Sequence, residues 1–503
     1  MPDLIEMSTI DSLLRHGGDR DTAIAVPDGP SLTYAQLRQM VDEAALRLAS
    51  FGVRREDRVA IIFPNGPEAI VLFLAAARVG TACPLNPAYK EAEFRFYLED
   101  TGARFLLAPR ENGTDARKAL STGSTVIEGE IDDAGRLSLE SNGSRSEIRS
   151  IAPPEPDDIA LVLHTSGTTS RPKRVPLRHR NLTASVANIV ESYRLGPEDV
   201  SLCAMPLFHV HGLVASALAT LASGGTVSVP RRFTPMMFWP AARQARPTWF
   251  TASPTLHQLI LMRTEENRPA GTERLRFVRS CSSALSPDLM ARMEDRLGVP
   301  VLEAYGMTEA SHQMASNPLP PDPRVPGSVG RGTGVEIAIL DEGGSLLPGG
   351  QPGEVGIHGP NVIDGYENNP EANRASFTDG WFRTGDLGTL DRGGYLRLLG
   401  RIKELINRGG EKIAPREIDE ALESHPAVKE AVCFGVPHPT WGEEVAAAVV
   451  LTEPVAEKEL IAHCRKVLAE FKVPRRVHIV ESIPRTPTGK VQRRFVAEQL
   501  TAR

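Results

Sequence analysis

Three consecutive stretches limit what this chain can fold into. "DRVAIIF" (57–63) is a short, mostly apolar run, "PEAIVLFLAAARVG" (67–80) has helical length and stops at a glycine, and "ARFLLA" (103–108) is short and apolar again. Short apolar runs read as buried strands. A glycine just past a long apolar stretch reads as a helix stop. Strand, helix and strand in that order are the pattern of α/β layers. At 503 residues the chain also exceeds what one hydrophobic core supports, so at least two domains are expected, the larger one subdivided.

Further along, residues 121–156 turn polar and rich in Gly, Ser, Asp and Glu, which predicts surface hairpins or a loose connection. "IALVLH" (159–164) reads as a strand, and Leu182, Val186, Ile189, Val190 and Tyr193 fall on one face of a helix. A boundary is visible in "GYLRLLGRIKELINRGGEKIAPREIDEAL" (394–422), where a charged, glycine-bearing stretch leads into an amphipathic helix. After it come "AVCFGV", "EVAAAVVL", a helix over "EKELIAHCRKVLA", and "RRVHIV", a compact α+β set of about 100 residues. The expected fold is α/β, with a large N-terminal multi-subdomain α/β domain (1–400) and a small, mobile C-terminal α+β domain (401–503) on a short hinge.

Composition excludes several classes. Hydrophobic residues at 41% and charged residues at 24% are ordinary for a globular protein and argue against disorder or a coiled coil. A net charge of −6 gives no reason to expect nucleic acid or an anionic membrane as partner. Cys83, Cys203, Cys281, Cys433 and Cys464 lack C-x-x-C spacing, so they suggest neither a zinc site nor a disulfide framework and read as reduced, buried thiols. No apolar run approaches the length of a membrane span, and the chain is expected to be soluble and cytoplasmic.

"HTSGTTSRPKRVPL" (164–177) raises a sharper question. Ser, Thr and Gly let the backbone turn tightly with N–H and hydroxyl donors inward, and Lys173 adds charge, which together suit phosphate. The stretch is not a Walker loop: no second glycine precedes Lys173, and Arg174 stands where Ser or Thr should ligate magnesium. Taken alone it is a phosphate cradle or a plain surface turn. If "RVPL" (174–177) is a strand, Val175 and Leu177 share one face, and Lys173 and Arg174 point apart. Arg174 is then expected to be a solvated cation.

Four companions follow in order: "EAYGMTE" (303–309), "WFRTGD" (381–386), "GRIKELINRGGEKI" (400–413) and "PRTPTGK" (484–490). With the loop, they resemble the ordered core motifs of the adenylate-forming acyl-CoA synthetases, and within that superfamily the oxalate–CoA ligase branch. The resemblance implies a two-step reaction. A carboxylate and MgATP give an acyl-adenylate and pyrophosphate, and then a thiol, CoA as co-substrate, attacks the adenylate. It assigns Thr165, Ser166, Gly167, Thr168, Thr169 and Lys173 to the leaving β- and γ-phosphates, Glu309 to magnesium and Thr308 to the α-phosphate. Tyr305 would face adenine, Asp386 the ribose hydroxyls, with Arg401 close by. Lys490 would bridge the acyl carboxylate and the α-phosphate, Lys403 matches the pivot of the small domain, and Gly409 and Gly410 would admit the pantetheine arm of CoA.

The acid is read from the segments that line the acyl pocket in that family. They carry His209 and His211 in "PLFHVHG", Ser282 and Ser283 in "RSCSSAL", and His312 in "EASHQ". A long fatty acid needs an apolar tunnel, so these donors favour a small polar acid, oxalate first. His209, Ser282, Ser283 and His312 are the candidate acid contacts; His211 is expected to pack inside, and Arg279 to lie outside the pocket. Two alternatives stay open: transfer of the activated acid to an amine, and a ligase for another short-chain or aromatic acid. The expected partners are the acid, ATP and CoA alone, with the protein a monomer or homodimer. Ser170 and Arg174 depart from the commoner residues of the superfamily.

Overall fold

The alternation at 57–108 is realised as a parallel β-sheet. In this computed structural model, which describes residues 7–143, 145–165, 172–231, 234–264, 269–485 and 491–501, strand Arg58–Ile61 pairs in parallel with Thr81–Pro84 and with Phe105–Pro109. Helix Pro67–Val79 connects the first two, begins with proline in its first turn and ends at Gly80. It is buried nearly all round, which explains why its sequence shows no polar face. Among the described residues this sheet has seven strands, in the order Leu137–Ser141, Thr125–Ile131, Phe105–Pro109, Arg58–Ile61, Thr81–Pro84, Ile159–Thr165, Lys173–Arg178. The polar stretch at 121–156 thus contains a hairpin that closes one edge.

A second sheet, of nine strands among the described residues, runs Arg331–Gly332, His312–Ser316, Val301–Met307, Phe277–Ser280, Trp249–Ala252, Val200–Leu202, Thr226–Ser228, Thr22–Ala25, Ser31–Thr33. Helix His179–Tyr193 packs on strands of both sheets. Its predicted apolar face is buried, Leu182, Val186 and Ile189 completely. Each such aliphatic side chain contributes about 1.5–3 kcal/mol of burial. The helix therefore couples the strand Lys173–Arg178 to the strand His312–Ser316, and with them the two halves of the candidate site.

The chain divides into two compact units, Met1–Glu336 with His358–Ala375, and Ile337–Ile357 with Ser376–Arg503. The second therefore takes in strands that precede the expected 400/401 division. The charged hinge marks that division in the sequence, whereas the alternation of the preceding strands reads the same in either unit. One sheet of the second unit is built from Glu336–Leu340, Gly353–His358, Trp381–Leu390, Phe377–Thr378 and Leu396–Arg401. The other pairs Val428–His438 with Gly442–Leu451 and is buried on both faces. Cys433, Val445, Ala447 and Val449 pack with Ile418, Leu422 and Leu460, while Val432, Phe434, Ala446 and Ala448 pack with Ile483 and Val496. All five cysteines are free and buried. No helix among the described residues is long and apolar enough to cross a membrane.

Two buried histidines tie distant segments of the first unit. His179 Nδ1 accepts the Ile10 N–H at 3.2 Å, and His257 Nε2 lies 3.0 Å from the Arg279 carbonyl oxygen. Burial pushes both imidazoliums down, each to about 4. A histidine depressed in the folded state contributes stability that is complete above its unfolded value near 6.5 and is lost as pH falls toward 4. Each is expected to remove on the order of 3 kcal/mol across that window. Denaturant midpoints compared at pH 7 and pH 4.5 check this, and His257→Gln should flatten part of the slope.

Candidate functional site

The strands Ile159–Thr165 and Lys173–Arg178 form an antiparallel hairpin in which His164 faces Arg174 and Thr165 faces Lys173. The cradle residues Ser166, Gly167, Thr168 and Thr169 lie outside the described residues. Val175 and Leu177 are fully buried, as the alternation requires. Lys173 and Arg174 do point apart. The Lys173 ammonium sits 4.3 Å from the ring centre of Tyr366. Arg174, however, is not the solvated cation expected from the sequence. Its side chain is 17% exposed, its Nε lies 3.3 Å from Asp100, and its Nη1 donates to the Asp100 carbonyl. Asp100 also holds His164 at 2.9 Å, and Glu367, 4.0 Å from Arg174, pairs with Arg58. The partners come from residues 58, 100 and 367, distances in sequence that strand periodicity does not reach.

Tyr366 links Lys173 to the next group. Its hydroxyl donates to Glu309 Oε1 at 2.8 Å. Glu309 and Thr308 occupy a buried 3₁₀ turn, Thr308–Ala310, directly after the strand Val301–Met307 that carries Tyr305. Asn361 clamps the turn by donating to the carbonyls of Ala310 at 2.9 Å and Gln313 at 3.0 Å. Tyr366 and Asn361 were not singled out from the sequence, because "NVIDGYENNP" reads only as a turn-rich segment. Glu309 forms no ion pair among the described residues, and no group of three or more His, Cys, Asp or Glu placed to hold a metal ion is present among them. A single carboxylate with a hydroxyl on one oxygen suits Mg²⁺, which takes one or two protein carboxylates and completes its shell with phosphate and water.

The acid-pocket candidates meet at the ends of neighbouring strands. His312 is buried, follows the turn, and has φ +119°, with Ser311 at +52°. The backbone approaches so closely there that a Cβ on Gly306 would stand 2.1 Å from the His312 carbonyl oxygen, so position 306 requires glycine. The His211 ring stacks on that of His312, 5.1 Å between centres. As expected His211 is inside, but it also contacts Ser282, Nδ1 to Oγ 2.9 Å, and Thr251, Nε2 to Oγ1 2.6 Å. Burial first, then His312 and Arg279, hold the His211 imidazolium well below the usual histidine range. Ser282 is half-buried at φ +81°, Ser283 is exposed, and His209 is half-buried, its Nδ1 accepting the His211 N–H at 3.3 Å. Arg279, expected outside, is fully buried and donates to His312 Nε2 at 3.0 Å. Its place on the strand Phe277–Ser280 puts it directly behind the histidines.

In the second unit, Asp386 and Arg401 are register partners on adjacent strands, with Nε and Oδ1 2.9 Å apart. Lys403 is exposed in the short turn Ile402–Glu404. Gly409 and Gly410, at φ +62° and +95°, make the turn between strands Ile406–Arg408 and Glu411–Ile413, so that turn needs them whatever passes over it. Lys490 lies outside the described residues. Arg493, three positions on, is held 3.2 Å from Glu404 and 2.6 Å from Asp419.

Residues 14–367 match the AMP-binding enzyme family and residues 417–490 match its C-terminal domain. The chain therefore belongs to the AMP-binding enzyme family. It is 48% identical over 487 residues to an oxalate–CoA ligase of Arabidopsis thaliana, covering 95% of each chain. It is 44% identical over 517 residues to an oxalate–CoA ligase of Saccharomyces cerevisiae, covering 95% of this chain and 94% of that one. Among solved structures, ATP-bound MatB from Rhodopseudomonas palustris matches with a TM-score of 0.88 and 33% identity over 98% of this chain and 99% of that chain. The expected α/β fold is thus the fold of adenylate-forming enzymes.

If Lys173 meets the phosphates of ATP, as the resemblance implies, variants of the two opposed cations should behave differently. Arg174→Ala should lower stability by about 1–3 kcal/mol, because it leaves Asp100 and Glu367 short of a partner. It should change kcat/KM for ATP by less than about threefold. Lys173→Ala should cost about 3 kcal/mol in kcat/KM for ATP. Melting curves and pyrophosphate-release kinetics on both variants check the pair.

Proposed function

We propose that this enzyme converts oxalate, or another acid as small and polar, into its CoA thioester. The reaction class follows from the family: it is an ATP-dependent, AMP-forming acid–thiol ligase that uses ATP, Mg²⁺ and CoA. The acid is carried by one observation. The groups gathered beside the Thr308–Ala310 turn, His211, Ser282 and His312, are hydrogen-bonding groups backed by a buried arginine, which suits a small polar acid better than a long apolar chain. The likeness to oxalate–CoA ligases supports the same choice.

In the first half-reaction a carboxylate oxygen attacks the α-phosphorus and the bond to the bridging oxygen of pyrophosphate breaks. The demand is for positioning and charge neutralisation, since the nucleophile is weak and the triphosphate strongly anionic. Lys173 takes the leaving phosphates, its side chain steadied over Tyr366. Thr308 bonds the α-phosphate. Bound to Glu309, Mg²⁺ would neutralise phosphate charge, and the Tyr366 hydroxyl orients that carboxylate. Tyr305 faces adenine, and Asp386, aligned by Arg401, takes the ribose hydroxyls. Lys490 joins the acyl carboxylate to the α-phosphate. In the second half-reaction the CoA sulfur attacks the acyl carbon and AMP leaves, after residues 401–503 turn about Lys403 and bring Gly409–Gly410 to the pantetheine arm. The enzyme acts in the cytoplasm as a monomer or homodimer, and its reduced, buried cysteines accord with that compartment.

Thioester formation measured with oxalate, malonate, acetate and dodecanoate tests the reading. Oxalate should give the highest kcat/KM, and dodecanoate exceeding oxalate and malonate tenfold would contradict it. Pyrophosphate release with no consumption of CoA would point to an amine acceptor instead. Lys490→Ala should suppress adenylate formation by about 10²-fold or more while sparing the thiol step from pre-formed adenylate.

A further inference from the structure

We infer that Arg279 is the specificity-determining positioning residue of the acid site: a buried cation with no carboxylate of its own, whose counter-charge is the second carboxylate of a dianionic acid, felt through His312 and His211. The inference rests on the small-dicarboxylate reading above and adds the residue that supplies the charge.

The Arg279 side chain is fully buried. It donates to the Tyr193 hydroxyl at 2.8 Å, Thr251 Oγ1 at 3.0 Å, His312 Nε2 at 3.0 Å and Gln313 Oε1 at 3.1 Å, with His211 Nε2 at 3.4 Å. Every one of these partners is a neutral group, and Arg279 forms no ion pair among the described residues. Elsewhere in the same unit half-buried arginines meet acids: Arg58 meets Glu367, and Arg174 meets Asp100. A buried charge is costly unless it is paired, so one kept unpaired needs a reason.

The bonds also set the protons. A guanidinium only donates, so His312 Nε2 accepts and the ring proton sits on Nδ1. That edge of the ring faces Gly306, where an added Cβ would lie 3.3 Å away. Thr251 Oγ1 accepts from Arg279, which directs its own hydroxyl to His211 Nε2. His211 then carries its proton on Nδ1 and donates to Ser282 Oγ, leaving the Ser282 O–H to donate onward. The burial that disfavours the His211 imidazolium agrees with this neutral tautomer. The cation is thus relayed to two N–H or O–H donors, at His312 and Ser282. Both residues hold positive φ, +119° and +81°, a strain that persists where the surroundings dictate it and that gathers at ligand sites.

Arg279→Met strands several acceptors and is prone to misfold. Gln313→Glu is the cleaner test. It keeps the shape, still accepts from Arg279 and Tyr193, and meets the turnable hydroxyls of Ser192 and Thr333 with its second oxygen. It also gives Arg279 a carboxylate. With a melting temperature close to that of the wild type, KM for oxalate should rise about tenfold or more, the scale of an added like charge facing an anion, while KM for acetate stays within about threefold. An equal change for both acids, or none for either, would overturn the inference and leave the oxalate reading standing. A wild-type enzyme that prefers acetate to oxalate would overturn that reading, and this inference with it.

Discussion

Arginine carries five N–H donors and no acceptor, and Arg279 spends them at the middle of the nine-stranded sheet, where no solvent can complete its shell. Its partners come from the helix His179–Tyr193, the strand Trp249–Ala252, the π-helix His211–Leu218 and the strand His312–Ser316. Because the donors are planar and fixed, these four elements can close on the strand Phe277–Ser280 in one arrangement. Even the arginine's own carbonyl is held, by His257. The stacked histidines both lie against that side chain, and the strained backbone at Ser311 and His312 lies beside it.

A second constraint comes from strand geometry at the hairpin. Successive residues face opposite sides, and the segment that lies alongside repeats the alternation: the Glu367 N–H donates to the Arg174 carbonyl at 3.2 Å, Lys173 meets Tyr366, and Arg174 meets Glu367. One side of the strand faces Glu309 through Tyr366; the other meets Asp100 and Glu367, which also hold His164 and Arg58. Adjacent cations thereby acquire separate surroundings, Arg174 among carboxylates and Lys173 against an aromatic ring.

Local pattern carried much of this. Short apolar runs located the strands around 58–61, 105–109 and 159–165, and helical periodicity located the buried face of His179–Tyr193, because these signals depend on neighbours within a few residues. The resemblance singled out Thr308, Glu309 and His312, which stand next to one another at the end of the strand Val301–Met307, and Asp386, which pairs with Arg401. Tertiary partners were not legible. Arg174 looked solvated because Asp100 and Glu367 are remote in sequence, and Arg279 looked peripheral because its neighbours in "FVRSCSS" give no sign of Gln313 or Tyr193. Gly409 and Gly410 suggested a ligand's approach, yet their positive φ already explains them as a turn.

If a buried positive charge selects the acid, removing one charge from the acid should weaken its use. Oxamate replaces one carboxylate of oxalate by an amide of nearly the same shape, so the two differ at the site chiefly by one unit of charge. Pyrophosphate release by the wild-type enzyme with each acid, at matched ionic strength, measures that difference directly. The kcat/KM for oxalate should be at least about tenfold higher, equivalent to roughly 1.4 kcal/mol; equal values for the two acids would mean that the buried charge does not select the acid.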